Sequence, residues 1–322
     1  MVMLTPLKST AYLHVPQSHL TTQMQFRTVV YAFLAALVCV AASLAADKDK
    51  PANSSDDQLV IAQLSDMHIG LPRAPEATQN MQRAVEMIND RHPDAVLVTG
   101  DIGENPQAWD EAKSILAGLK CANVFIIPGN HDDTANNVER WRKFWGPDYQ
   151  VFHVKWATII GLDSQLLGNF DHYDSLQVIP LSEKGQQESK KMLDWFADQI
   201  QQIRSRDDKN NAVFVMQHVP VSRAGGGSFP KDPKPYWAIQ EPYRSREIEL
   251  LHQLGVKDMF VGHWHIGMNY KADGIQYHVG PATSWSPFSD KLGFAMYTID
   301  RSGKVKAEFV DLPGANAHRP SH

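Results

Sequence analysis

Eight polar side chains of this sequence could do chemistry together: Asp66, His68, Asp101, Asn130, His131, His218, His263 and His265. Carboxylate, imidazole and a single carboxamide form a borderline-hard donor set that suits zinc, iron, manganese or nickel. With His131 set aside, seven donors are more than one water-accessible ion takes. They fit two ions that share one carboxylate. Two cations about 3.5–4 Å apart can hold a hydroxide between them and clamp a phosphoryl oxygen. A charged Asp101 would lower the repulsion between such cations in a way that a neutral Asn could not. No Ser or Cys stands in a recognisable nucleophile setting, so covalent catalysis has no obvious agent.

These residues matter only if the chain brings them together, and the local pattern says how. Leu59 to Leu64 is a short apolar run of the buried-strand type and ends in Ser65-Asp66-Met67-His68. Residues 95–99 (AVLVT) end in Gly100-Asp101, and residues 123–127 (NVFII) end in Pro128-Gly129-Asn130-His131-Asp132. Between these runs, residues 76–90 and 107–119 carry apolar side chains at helical spacing. This βαβαβ order implies a parallel sheet with right-handed crossovers, whose ligands bind outside the carboxyl ends of the strands. Further on, the spacing predicts a short helix over 137–145 and a hairpin from 150–153 and 156–162. A long helix over 183–204 follows, then a strand over 212–216 ending in Gln217-His218. A helix over 245–254 leads to a strand over 258–261 ending in Gly262-His263-Trp264-His265. Residues 268–311 read as three or four antiparallel strands. Each polar cluster therefore sits at a predicted strand end.

The chain has 322 residues, 43% hydrophobic and 21% charged, with a net charge of -5. That excludes disorder over most of its length and argues against nucleic-acid binding through phosphate charge; no such surface is evident. Residues 28–46 are uncharged and end in small residues after Arg27, as in a secretory signal peptide. The reading is a signal peptide over 1–46, with Met24 the better start, then a polar linker over 47–57. An N-terminal membrane anchor is the alternative. Cleavage would leave no stable membrane span, a periplasmic or extracellular protein and one cysteine, Cys121. The folded domain is expected over 58–311 and a mobile tail over 312–322.

The DMH at 66–68, GD at 100–101, GNHD at 129–132, the His after an apolar strand at 218, and GHWH at 262–265 resemble, in order and approximate gaps, the calcineurin-like metallophosphoesterase family. The stretches WRKFWGPDYQVF, GLDSQLL and VFVMQHVP are similar to one branch of it, the calcineurin-like phosphoesterase domain-containing protein 1 group, which includes a serine/threonine phosphatase. The resemblance implies an α/β fold with central mixed β-sheets flanked by helices, a four-layer αββα sandwich. It implies a dinuclear centre of divalent or trivalent ions (Fe, Mn or Zn). Asp66, His68 and His265 would hold one metal and Asn130, His218 and His263 the other, with Asp101 bridging. A metal-bridging hydroxide would attack phosphorus in line, with His131 as general acid. The expected function is thus an exported phosphoesterase, phosphatase or phosphodiesterase, acting on a phosphoester substrate. The alternative is a non-catalytic metal-binding scaffold of the same fold.

One departure stands out. Protein phosphatases of this family continue the GD motif to a second Asp that supports the acid His, whereas here GDIGEN places Glu104 there. Glu104 and Asp132 are the candidates for supporting His131. Arg223 and Trp264 are the candidates for substrate contact. The loop 219–242, rich in Gly and Pro, reads equally as a substrate-selecting lid or as a surface insertion.

Overall fold

The structure, a computed structural model, describes residues 57–206, 211–225 and 229–318. The signal-peptide and linker readings lie outside these residues, Asp57 excepted, as do Gly226 and Gly227 of the loop. The described residues fall in one unit, Asp56–His322.

Apolar runs become strands wherever both faces are covered. β1 (Gln58–Leu64), β2 (Ala95–Thr99) and β3 (Val124–Ile127) pair in parallel. Helices α1 (Ala77–Asn89) and α2 (Pro106–Leu116) connect them. The second begins at Asn105, whose side chain accepts from Ala108 N and caps the helix. α3 (Val138–Phe144) leads to the hairpin of β4 (Gln150–Val154) and β5 (Ala157–Gly161). α4 (Glu183–Ser205), β6 (Ala212–Met216), α5 (Tyr243–Leu254) and β7 (Asp258–Val261) follow. The chain closes with β8 (Met268–Ala272), β9 (Ile275–Val279), β10 (Gly293–Asp300) and β11 (Val305–Asp311).

The strands form two mixed sheets, in the orders β11-β10-β1-β2-β3 and β4-β5-β6-β7-β9-β8. Alternation along β1 shows how they stack. Leu59 and Ile61 meet Ile159, Phe214 and Phe260 of the other sheet, whereas Ala62 and Leu64 meet Met81, Ala84 and Trp109 of α1 and α2. The far face of the second sheet packs on Met192 and Phe196 of α4 and Leu250 of α5. Helices, sheet, sheet and helices thus make the four-layer sandwich.

Two local expectations change. The C-terminal strands number four, but they divide: β8 and β9 extend the second sheet, while β10 crosses back to pair antiparallel with β1. The sequence pattern shows strands but not their partners. The segment read as a mobile tail is held over 312–318. Leu312 N donates to Leu292 O, Ser286 N donates to Ala317 O, and Leu312 and Ala317 are buried. No helix among the described residues is long and apolar enough to cross a membrane.

Candidate active site

Five parallel strands, β1, β2 and β3 of one sheet and β6 and β7 of the other, end at the same rim. Asp66 and His68 follow β1, Asp101 follows β2, Asn130 and His131 follow β3, His218 follows β6, and His263 and His265 follow β7. The backbone there is unusual. Asp66, His68, Asp101, His263 and His265 all have φ between 46° and 70°, five of the nine non-glycine residues with positive φ among those described. Such conformations cost free energy and concentrate at functional sites. Two glycines let the turns close. A β-carbon on Gly129 would collide with the Asp101 carboxylate, and one on Gly262 with Ser65 Oγ.

The side chains converge in a buried cluster. His68 Nε2 lies 3.2 Å from His265 Nε2, and Asp66 Oδ1 lies 3.2 Å from His265 Nε2. Asp101 Oδ2 stands between His68 Nε2 at 3.3 Å and His218 Nε2 at 3.2 Å. Ligand atoms of Asp66, His68, Asp101 and His265 lie within 4.8 Å of one another, and so do those of Asp101, His218 and His263. Asp101 belongs to both groups.

The outer partners of the imidazoles decide what the inner nitrogens are. His265 Nδ1 donates to Trp285 O at 2.8 Å, His218 Nδ1 to Thr99 O at 2.7 Å, and His263 Nε2 to Tyr236 O at 2.8 Å. A carbonyl can only accept, so each of these nitrogens carries the hydrogen. His68 Nδ1 sits 2.7 Å from Glu104 Oε1. The His131 and His68 rings outweigh burial and hold the Glu104 carboxyl down to about 2, so it too accepts. In their neutral tautomers, His68 and His265 therefore point bare Nε2 lone pairs at each other and at two carboxylates. His263 Nδ1 and Asn130 Oδ1 are buried without hydrogen-bond partners. Converging acceptors without donors call for cations, and imidazoles fixed by outer carbonyl or carboxylate partners are the usual ligand arrangement. The donor set fits metal ions.

Electrostatics agree. Burial lowers the pKa of His68, pushes His265 down to about 4 and takes His263 well below the usual range, so all three are neutral. His218 differs. Burial opposes its charge, but Asp101 and Asp66 hold it up to about 9. Asp101 stays well below the carboxylate range against its burial, because His218, His131 and His68 surround it.

His131 faces the same cleft, its side chain 30% exposed. Its backbone N donates to Asp101 Oδ1 at 2.9 Å, and its Nδ1 pairs with Glu104 Oε2 at 2.9 Å. Burial works against a charge on this ring; the Asp101 and Glu104 carboxylates more than offset it and raise it to about 9. Glu104 thus holds two imidazoles, one per oxygen, where the sequence suggested only His131.

The other expected residues sit differently. Asp132 accepts from Ile102 N, Gly103 N, Gly129 N and Trp109 Nε1, at 3.0–3.1 Å. It ties the turn after β2 to the turn after β3, and makes no hydrogen bond to the His131 ring. Arg223 turns its guanidinium to the carbonyls of Pro230, Asp232 and Lys234, bracing the loop from within. Trp264 is fully buried, donates to Trp237 O and stacks on Tyr270. Neither lines the cleft. Part of the loop does: Tyr236 orients His263 through its carbonyl, and its hydroxyl accepts from Asn130 Nδ2 at 3.1 Å. Tyr236 and Trp285 escaped the sequence reading because their ligand-orienting atoms are backbone carbonyls, which carry no residue-type signal.

Comparison with known proteins agrees with this geometry. The family profile described as calcineurin-like phosphoesterase matches residues 59–267. The chain is 24% identical over 244 residues to the serine/threonine-protein phosphatase CPPED1 of Danio rerio, covering 71% of this chain and 73% of that one. It is 25% identical over 198 residues to the Homo sapiens protein of that name, covering 57% of this chain and 58% of the human one. A crystal structure of a dimetal phosphatase from Danio rerio shares the fold, with a TM-score of 0.54 and 14% identity, covering 79% of this chain and 98% of that one. The chain belongs to the calcineurin-like phosphoesterase family and is, by class, a metal-dependent phosphoric ester hydrolase.

Proposed function

We propose that this protein hydrolyses phosphate esters at a two-metal centre, with His131 as the proton donor to the leaving group. The observation that carries the reading is the set of inward-facing acceptors. Two bare imidazole nitrogens lie 3.2 Å apart, flanked by carboxylates with which, among the described residues, no Arg or Lys forms an ion pair. Asp66, His68, Asp101 and His265 would hold one ion, and Asp101, Asn130, His218 and His263 the other. Bound there, the ions would supply the activated nucleophile and the positive charge that phosphoryl transfer needs.

The chain's own residues do the rest. Glu104 accepts from His131 Nδ1, fixes the ring plane and leaves Nε2 to carry a proton towards the leaving oxygen. The same carboxylate holds His68, so the acid and one ligand share a support. Asp132 fixes the two turns that carry Asp101 and His131. The apolar run at 28–46 supports export as part of the proposal, tested by the N-terminal sequence of the mature protein.

Purified protein loaded with manganese should turn over p-nitrophenyl phosphate, its bis ester, or both. A phosphoserine peptide belongs in the same panel because of the name of the Danio rerio relative. No turnover of any of the three by protein with measured, occupied metal sites would overturn the reading.

A further inference from the structure

The walls above the ligand cluster are aromatic. A cleft of about 320 Å³ is lined by His131, His263 and His265 at its floor and by Tyr173, Tyr236, Trp237, Trp285, Pro287 and Phe288 above. The rings continue outward from the ligand imidazoles. The Trp285 ring centre is 4.4 Å from that of His265, and Tyr236 is 4.5 Å from His263. Tyr173, half exposed, meets both Tyr236 and Trp237 edge-on. Among the described residues, two non-histidine charges line the cleft, Asp232 and Arg73. Asp232 is already paired with Lys234. Arg73 is exposed, has no carboxylate partner among the described residues, and lies with its guanidinium carbon 4.5 Å over the Trp285 ring.

This lining selects against an extended peptide. A phosphoserine would bring its backbone amides against ring faces that offer few hydrogen-bond partners, and burying an amide unpaired is costly. A planar aromatic group loses nothing there, since its faces and edges match those of the wall. A guanidinium placed over an indole keeps N–H donors for an anionic oxygen. We propose that the preferred substrates are small phosphate esters that carry a planar aromatic group, stacked against Trp285, with Arg73 contacting the phosphate. This inference rests on the phosphoesterase reading and names the substrate class of that site. The shared chemistry, a ring near a phosphate, is found in phenolic esters and in nucleotides.

Non-hydrolysable ligands test it by direct binding. Methylphosphonate, phenylphosphonate and an adenosine 5′-methylenephosphonate are titrated calorimetrically into manganese-loaded protein. A ring contact of ordinary strength makes at least one aromatic ligand bind about tenfold more tightly than methylphosphonate. Preference for the phenyl ligand indicates phenolic esters, and preference for the adenosine ligand indicates nucleotides. Trp285→Leu should abolish the preference while the Trp285 carbonyl still orients His265. Trp285→Phe should retain part of it. Arg73→Ala should weaken all three ligands about fivefold to tenfold, and Arg73→Lys less. Equal affinity for all three ligands in the unaltered protein overturns the proposal, as does a preference untouched by Trp285→Leu. Unchanged binding in Arg73→Ala overturns the role of Arg73. Turnover of p-nitrophenyl phosphate is followed on the same preparation. Turnover without a ring preference sinks the ring contact alone, and a ring preference without any turnover sinks hydrolysis alone.

Discussion

Clusters of buried carboxylates form in two regions among the described residues, and each is balanced differently. Near α3, Asp133, Asp148 and Asp163 are all buried, and Arg142 pairs with Asp148. Its guanidinium takes both Asp148 oxygens at 2.7 and 2.9 Å and Glu188 Oε2 at 2.8 Å. The carboxylates left over are burdened: burial raises Asp163 well above the usual range and lifts Asp133 to about 7. There the chain supplies its own cation, and protons balance the remainder. The ligand cluster has two buried carboxylates, four imidazoles and a carboxamide, and among the described residues no Arg or Lys forms an ion pair with its carboxylates. The difference separates a structural ion cluster from a site built for an external cation. A structural cluster carries its counter-charge in the sequence, whereas a ligand site turns its acceptors inward and leaves the Arg and Lys out.

Asp101→Asn strikes this contrast hardest. It removes the carboxylate that belongs to both ligand groups, and turnover should fall at least about 10⁴-fold with loss of bound metal. Metal quantification beside the rate is the check, and full metal content with full rate would erase the contrast. His131→Ala should keep its metals and lose about 10²–10⁴-fold in rate. Equal activity would show that His131 is not the acid. Glu104→Gln tests the double support. It should cost about 10–100-fold in rate and also weaken metal binding, because the same residue orients His68. A fall in rate with unchanged metal affinity would confine Glu104 to His131.

The other side of the comparison predicts the opposite pattern. Arg142→Ala leaves Asp148 without its cation and Glu188 with Lys191 alone, and should lower unfolding stability by about 1–2 kcal/mol. Because Arg142 is a third exposed, water limits the loss. Metal content and turnover of the folded protein should stay as they were. A metal-site defect in this variant would mean that the two regions are not independent.

Most of the site could be read in advance because each strand that builds it is a continuous apolar run stopped by a polar pair or quartet. Asp66-Met67-His68 after β1 and His263-Trp264-His265 after β7 need no tertiary knowledge to be noticed. What stayed hidden lies in atoms without residue-type signals or in pairings between distant segments. The carbonyls of Thr99, Tyr236 and Trp285 fix three imidazoles, yet any residue has a carbonyl. The pairing of β10 with β1 joins segments more than 200 residues apart, and nothing in either strand names its partner. Arg223 looked available for substrate because a sequence shows a charge and not the three carbonyls that occupy it. Arg73 carried no signal at all, since its significance comes from Trp285, which lies far along the chain.

A third kind of buried carboxyl has neither a cation nor ligand-like companions. Glu247 of α5 is fully buried, and among the described residues no ion pair reaches it. Burial pushes its carboxyl up to about 8, with Gln217 pulling weakly the other way. In the unfolded chain the group titrates near the ordinary glutamate value of 4.5. Between these two values the folded protein holds a proton that the unfolded chain has released, so stability falls as pH rises through that window. The decline should approach about 1.4 kcal/mol per pH unit from this group alone and stop above pH 8, where both states are ionised. Glu247→Gln keeps the shape, cannot ionise, and should remove that slope. Denaturant melts of both proteins at pH 5, 6, 7 and 8 measure it. Parallel stability profiles would mean that Glu247 finds a counter-charge in the fold and belongs with the Arg142 cluster.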